Sequence, residues 1–569
     1  MADLVSPGIL VQEKDLTNTI PPVGGSSGGI VISAEWGPVD EATVITSETN
    51  LVEVFGKPPT SAAADWLVAS QYLAYAGNLQ VGRAIGANAI NASDKDGDLT
   101  AVIKNTSDFN SINPSDASFI ARYPGAKGSE IGVVLIAPGI SALGNASLHL
   151  NKSSGAIESS ASAATTTVDF GKEFDYIPDS TSFAAARGGS NDEVHLVIFD
   201  KRGRITGALG TVLEKYTGLS LANDAKDSFG ASNYIKDVLY SQSSWVYFTG
   251  DWSVFLTNAD EATDWEGKTS AHDFTLQDAD ATETDDGWEA VILDDGSDGT
   301  APSGAQKATL YSTLWGDKET SDVSFLIGGV GVDSTTATAD NVANELKTIV
   351  ESRKDCIAFV SPPKSTGGVD ITSPNKTVAE KTTEIKDWQN LNSSYMIVDS
   401  GWKKAYNRYT DTYQAIPLCG DTAGLTALTE MTNDAWWSPA GYNRGNVRNV
   451  YELYFNPDQA ARDDLYKVGV NPVVSFPGQG VVLFGDKTSQ KKPSAFDRIN
   501  VRRLFIHIEK AVSTAAKYFM FEFNDEFTRA QFRNMVEPFL RDVKSRRGIF
   551  DYQVVCDSSN NTANVIDRN

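Results

Sequence analysis

The chain is poor in sulfur and imidazole: it has three cysteines, five methionines and four histidines in 569 residues. Cys356, Cys419 and Cys556 form no close pair and are odd in number, which argues against a disulfide framework and for reduced thiols from cytosolic synthesis. His149, His195, His272 and His507 lack the paired spacing of a zinc site, and no Gly-x-Ser-x-Gly elbow provides a serine nucleophile. Long apolar runs are also missing, so no segment reaches the roughly twenty residues of a membrane span. The start, MADLVSPG, lacks the basic and apolar regions of a signal peptide. Positive charge is scarce, and the net charge of −26 opposes binding to nucleic acid or to an anionic membrane.

What is present reads as a folded chain of several domains, with 41% hydrophobic and 21% charged residues and a length beyond one core. GGIVISAEWGPVDEATVITS has strand character, TSAAADWLVASQYLAYAG has helical spacing at Trp66, Leu67, Ser70, Leu73 and Ala74, and LQVGRAIG reads as a strand. EVHLVIFD, SWVYFTGDW, VSFLIGG, CIAFVSPP and SSYMIVDSGW are short apolar runs separated by helical stretches, the pattern of a partly parallel sheet buried on both faces. Residues 96–190 are rich in Ser, Ala, Thr, Asn and Gly and read as an inserted β-rich domain. Residues 260–298 carry fourteen acids against Lys268, as expected of a solvated outer loop.

Motifs for chemistry are incomplete. GVVLFGDKTS places Asp486 between Gly485 and Lys487, where a phosphate loop needs an unbroken Gly-Lys-Thr step, so a hairpin is expected. GGSSGG at 24–29 follows two prolines rather than a strand, so its glycines supply flexibility. DKDGD at 94–98 and DDGSDG at 294–299 each miss positions of a calcium loop. His195 alternates with Val194, Leu196 and Ile198 as a sheet histidine, and His507 sits between two isoleucines in a packing position. No cofactor is expected. A glycan hydrolase using two of the many carboxylates stays open as an alternative, because such a pair forms only in three dimensions.

The last quarter is the most informative. From Val501, apolar residues fall at Leu504, Phe505, Ile508, Val512, Ala515, Ala516 and Phe519, one helical face. A second helix is expected after Asn524 as N-cap, with the stripe Phe532, Val536, Phe539, Leu540 and Val543, and with a kink or break at Pro538. Between Arg498 and Arg547 there are eleven basic residues against six acidic ones. This block is either a solvated face or a docking surface for an acidic partner. Its candidates are Arg502, Arg503, Lys510 and Lys517, of which 503, 510 and 517 repeat every seven residues on one face. A short strand-like run and a polar tail, IFDYQVVCDSSNNTANVIDRN, close the chain.

These helices and tail, with the opening SPGILVQEKD, the stretch at 199–248, SRKDCIAFVSPP at 352–363 and Asn500-Val501-Arg502-Arg503, together resemble the tail sheath proteins of contractile phage tails and related injection machines. The resemblance spans roughly residues 1–95, 190–255, 311–363 and 440–569. It implies a mechanical polymer, not an enzyme: an α/β and α+β multidomain chain whose inner α/β core combines N- and C-terminal segments, with a middle α/β domain and the inserted β-rich domain facing outward. The expected divisions are an N-terminal arm at 1–22, a middle α/β domain at 23–95 plus 191–455, the insertion at 96–190, a C-terminal core domain at 456–550 and a C-terminal arm at 551–569. Stacked hexameric rings, an inner tail tube, a baseplate and a tail terminator are the implied partners, in a virion tail synthesised in the bacterial cytoplasm. The arms would add strands to neighbours through Val5, Ile9 and Val11 at one end and Tyr552, Val554, Val565 and Ile566 at the other. The four basic candidates would face the tube. A baseplate or capsid component is the other structural reading.

Overall fold

The computed structural model describes residues 26–60, 62–95, 99, 102–112, 117–253, 265–274, 287–330, 341–366 and 369–562. The expected N-terminal arm, with Val5, Ile9 and Val11, lies outside the described residues, as do Val565, Ile566 and residues 260–264 and 275–286 of the acidic segment.

A seven-stranded sheet organises the chain, in the order Ala42–Ile45, Leu79–Ala84, Gly28–Ser33, Phe325–Ile327, Ile357–Val360, Met396–Asp399 and Val470–Asn471. All neighbours run parallel except the edge strand Ala42–Ile45, which is antiparallel to Leu79–Ala84. Parallel strands need crossover helices, which cover both faces and bury successive side chains on opposite sides. Ile30 and Ile32 pack with Trp66, Tyr72, Phe325 and Phe359 against the helices Ala63–Leu73 and Cys419–Thr432. Val31 points the other way, towards Tyr311, Trp315 and Leu346 of the helices Gly304–Trp315 and Asn341–Arg353. The partly parallel, doubly buried sheet read from the apolar runs is therefore present.

An excursion leaves this sheet after Leu79–Ala84 and returns at the helix Gly304–Trp315. Its two ends touch: Ile90 N donates to Ser297 O at 2.9 Å and Thr300 N to Ala87 O at 3.1 Å. A Cβ at Gly86 would overlap the Thr300 carbonyl, so glycine permits the close approach. The excursion is built on an antiparallel sheet ordered Thr211–Ser220, Glu193–Asp200, Ile131–Ile136 and Trp288–Ile292. Val133, Leu135, Leu196, Ile198, Trp252 and Trp265 share its core.

Two expected boundaries are thereby corrected. The seam placed at residue 190 falls inside the excursion, because Ile131–Ile136 is hydrogen-bonded along its length to Glu193–Asp200, and the excursion spans roughly 86–302. The seam placed at 455 also fails, because Val470–Asn471 is the last strand of the central sheet and Leu465 of the helix Gln459–Lys467 lies in its core.

The excursion is fastened at its base. Trp36, in the loop after Gly28–Ser33, inserts into the excursion core, edge-on to Tyr123 at 5.3 Å. Arg83 is fully buried and donates to the carbonyls of Ala34, Gly37 and Pro124 at 2.8–2.9 Å. Burial away from a directly bonded carboxylate lowers its pKa to about 10.

Candidate assembly surfaces

After the central sheet the chain forms a transverse helix, Ile499–Ala516, and a terminal helix, Glu526–Ser545. The transverse helix lies across the N-terminal ends of the central strands. Arg502 donates to Ser394 Oγ at 2.9 Å and Tyr395 Oη at 3.2 Å, beside the start of Met396–Asp399, and its guanidinium lies 3.9 Å from the Phe496 ring centre. Arg503 pairs with Glu430, donates to Ser26 Oγ at 3.0 Å, and lies 4.5 Å from the centre of the Phe325 ring at the start of its strand. Lys510 pairs with Asp322, three residues before the same strand.

This corrects the basic face expected from the sequence. Arg502 and Arg503 are buried and Lys510 is engaged within the subunit, so these three fasten the transverse helix to the central sheet. Lys517 alone of the four is exposed, in the short 3₁₀ turn after the helix. The apolar face shifts accordingly. Ile499, Leu504, Ile506, Ala511 and Ala515 are buried, whereas Phe505 is exposed and Val501 only partly covered. Guanidinium groups over aromatic rings fill positions that the apolar pattern assigned to Val501 and Phe505.

The terminal helix is capped by Asp525 rather than Asn524: the Asp525 carboxylate accepts from Thr528 N at 2.7 Å, which holds its pKa below the usual range. Pro538 lies within the helix without ending it. The carbonyl it leaves unpaired, four residues back at Asn534, is on the exposed side where water can serve it. Val512, Phe519, Phe532, Met535, Val536, Leu540 and Val554 join the two helices and the tail in one cluster. His507 sits between Trp436 and Phe539, and burial lowers its pKa, so its role is packing as expected.

The tail then lies extended along the terminal helix. Exposure alternates strictly from Asp551 to Asp557: Tyr552, Val554 and Cys556 turn inward and Asp551, Gln553 and Val555 outward. Tyr552 Oη reaches Glu537 O at 3.3 Å, and Lys544 pairs with Asp551 at 3.0 Å. No strand pairs with this segment among the described residues. It has the period of a half-buried strand, and although Val555 O accepts from Asn560 Nδ2 at 2.8 Å and Asp557 N donates to Asn560 Oδ1 at 3.0 Å, it keeps an edge that another strand could join. One surface escaped the sequence reading. Tyr518, Met520, Phe521 and Phe523, at and after the 3₁₀ turn that follows the transverse helix, and Phe527, in the first turn of the terminal helix, are exposed. The signal was visible as too many aromatics in ten residues for one helix face to bury.

Elsewhere one motif reading is corrected and others hold: Gly28 and Gly29 of GGSSGG supply not flexibility but the start of the buried strand Gly28–Ser33, packed closely against Tyr72 and Trp315. Gly480–Leu483 is one arm of a hairpin with Val473–Phe476. His195 is a sheet histidine, accepting at Nδ1 from Gly218 N at 3.1 Å. In the DDGSDG loop Asp294 pairs with Lys201 and Asp298 accepts from Ala126 N. Among the described residues no cluster of three His, Cys, Asp or Glu side chains could hold a metal, and no helix is long and apolar enough to cross a membrane.

Comparison with known proteins bears on what these surfaces serve. Residues 324–489 match the phage tail sheath protein central domain, and residues 491–569 match the phage tail sheath C-terminal domain. That division agrees with the structural one, after the last central strand and before the transverse helix. The tail sheath protein of Enterobacteria phage T4 is 30% identical over 627 residues, covering 100% of this chain and 94% of that protein. That of Vibrio phage KVP40 is 28% identical over 664 residues, with 100% and 94% covered. These alignments include 96–190 and 259–305, which the sequence reading left unmatched. A sheath tail protein from Listeria innocua has the same fold, with a TM-score of 0.51 at 11% identity over 94% of this chain and 87% of that one. The chain belongs to the phage tail sheath protein family.

Proposed function

We propose that this chain is the structural subunit of a contractile tail sheath, which polymerises as stacked hexameric rings around an inner tail tube and contracts to drive the tube through a host envelope. It is a mechanical component of the virion, made in the host cytoplasm, and it meets the baseplate below and a terminator above. The observation that carries this reading, beside the family, is the extended segment from Asp551 to Asp557, held on the terminal helix with no strand paired to it among the described residues. Such an edge invites a strand from another chain through main-chain hydrogen bonds. Val5, Ile9 and Val11 of one subunit, and Tyr552, Val554, Val565 and Ile566 of another, are the residues of this exchange. Strand links tolerate rigid-body rotation, so subunits can reorient without losing their neighbours. Contraction then runs from a trapped extended array to one with better contacts, and needs no nucleotide.

Of the basic candidates, Lys517 keeps the tube-facing role, and Arg502, Arg503 and Lys510 support it by fixing the transverse helix. The excursion at roughly 86–302 projects outward.

The test is a pair of prolines at the outward positions, Gln553→Pro with Val555→Pro. Both remove N–H donors from one strand edge while leaving the inward residues in place. The variant should fold, by circular dichroism, and fail to form tubes in negative-stain electron microscopy. Normal tubes from the double-proline chain would exclude strand addition at this segment.

A further inference from the structure

The terminal helix carries exposed aromatic groups at both ends, with opposite charge beside them. At its start Phe521 is fully exposed and Tyr518, Phe523 and Phe527 are more than two-thirds exposed. Phe521 is also held at φ 73°, a conformation unusual for a non-glycine residue. Glu522 and Glu526 flank these rings, exposed and without an ion pair among the described residues, and outnumber the one exposed base at this end, Lys517 beside Tyr518. At the far end Phe550 is fully exposed, three residues after Arg547; Arg541 and Arg547 are exposed and without an ion pair among the described residues, whereas the acids there, Asp542 and Asp551, are paired with Arg546 and Lys544. Twenty helical residues separate the ends by about 30 Å.

Acids at a helix start and bases at its end suit the helix dipole, and that alone would explain the charges. It does not explain bare phenylalanines at both ends. Exposed apolar patches of this kind mark interaction sites. With about 150–250 Å² for each aromatic side chain, the four rings at the start expose on the order of 700 Å², close to the roughly 800 Å² per partner of a stable interface. The charges point to the occupant, because an aromatic surface with an acidic rim is complemented by one with a basic rim, and the same chain carries both.

We propose that neighbouring copies of this chain meet head to tail along the terminal helix, the Phe521–Phe523–Phe527 end of one docking on the Arg541–Arg547–Phe550 end of the next. The contact is heterologous, so each copy retains one free end of each kind and the association propagates until a ring closes or a filament grows. This rests on the sheath reading and adds to it a second interface, made of side chains rather than main-chain strands.

Charge reversal in the full-length chain tests it. Glu522→Lys with Glu526→Lys places like charges across the contact, as does Arg541→Glu with Arg547→Glu. Each pair should raise the critical concentration for assembly about tenfold or more, since a loss of about 1.4 kcal/mol is tenfold in affinity. An equimolar mixture of the two reversed chains should assemble near the wild-type concentration, because each end then meets its complement on the other chain. Phe523→Ser, at an exposed site that folding does not need, should also raise the critical concentration. If wild-type chains form tubes while both reversals and Phe523→Ser assemble unchanged, the head-to-tail contact is wrong and the sheath reading stands. If the reversed chains lose only co-sedimentation with tail tubes, the aromatic end faces the tube and the proposal falls. Absence of any wild-type assembly would overturn both.

Discussion

Replacing Arg503 with methionine should destabilise the subunit rather than weaken a tube contact. The guanidinium pairs with Glu430 on the helix Cys419–Thr432, donates to Ser26 Oγ beside the first central strand, and lies 4.5 Å from the Phe325 ring centre. Methionine conserves the stem and removes all three polar attachments. It also leaves the Glu430 carboxylate largely buried without its cation, and breaking a buried pair in this way costs about 3–5 kcal/mol. Glu430 keeps some contact with water, which places the loss near the lower figure, about 3 kcal/mol. For a cooperative unit of several hundred residues the melting temperature should fall by about 3–4 °C. Adding Glu430→Gln removes the orphaned charge and should recover more than half of the loss, whereas Lys517→Ala, at an exposed site, should stay within about 0.5 kcal/mol of wild type. Differential scanning calorimetry of the four chains provides the comparison. A melting temperature unchanged in Arg503→Met, together with lost tube binding, would refute this assignment and restore the expected basic docking face.

Three further outcomes follow from other parts of the fold. Excising 96–190 removes the Ile131–Ile136 strand from the middle of its sheet and should give insoluble protein, whereas replacing 88–299 with a few glycines, together with Trp36→Ser, should give a soluble folded chain by size exclusion and circular dichroism, because Ala87 and Thr300 already touch. Asp399, fully buried at the end of its strand, has its pKa raised by desolvation to about 8, so its contribution is fully present below about pH 4 and is lost as pH rises through about 8. Asp399→Asn should therefore flatten the decline in melting temperature between pH 5 and 8, a slope of up to about 1.4 kcal/mol per pH unit. Burial pushes the Cys356 thiol up to about 12 and also raises that of Cys419, so a thiol reagent at pH 8 should label only Cys556 in the native subunit, all three in denaturant, and Cys556 more slowly after assembly on the adjacent strand.

The parts of the fold legible in the sequence were those that local pattern determines. VSFLIGG, CIAFVSPP and SSYMIVDSGW do form the parallel core, because strands buried on both faces must be apolar throughout. EVHLVIFD carries the same signal but belongs to the antiparallel sheet of the excursion, paired with a run some sixty residues earlier. Composition could not reveal that pairing, and the boundary at 190 was misplaced for this reason. The transverse helix shows the same limit in its side chains. Spacing located the helix, but the burial of Arg502 and Arg503 depends on Ser26, Phe325, Ser394, Tyr395 and Glu430, which come from distant segments and meet only in the fold. The alternation from Asp551 to Asp557 was legible as a strand, and the structure adds that one side rests on the terminal helix while no strand pairs with it among the described residues.

Electron cryo-microscopy of the purified chain assembled at high concentration images the strand exchange and the ring symmetry together. The maps should show hollow tubes with sixfold symmetry, the transverse and terminal helices towards the bore, residues 86–302 outermost, and a neighbour's strand paired with the segment at 551–557. Particles that remain monomeric at high concentration and moderate salt, or tubes in which that segment is unpaired, would contradict the proposed exchange.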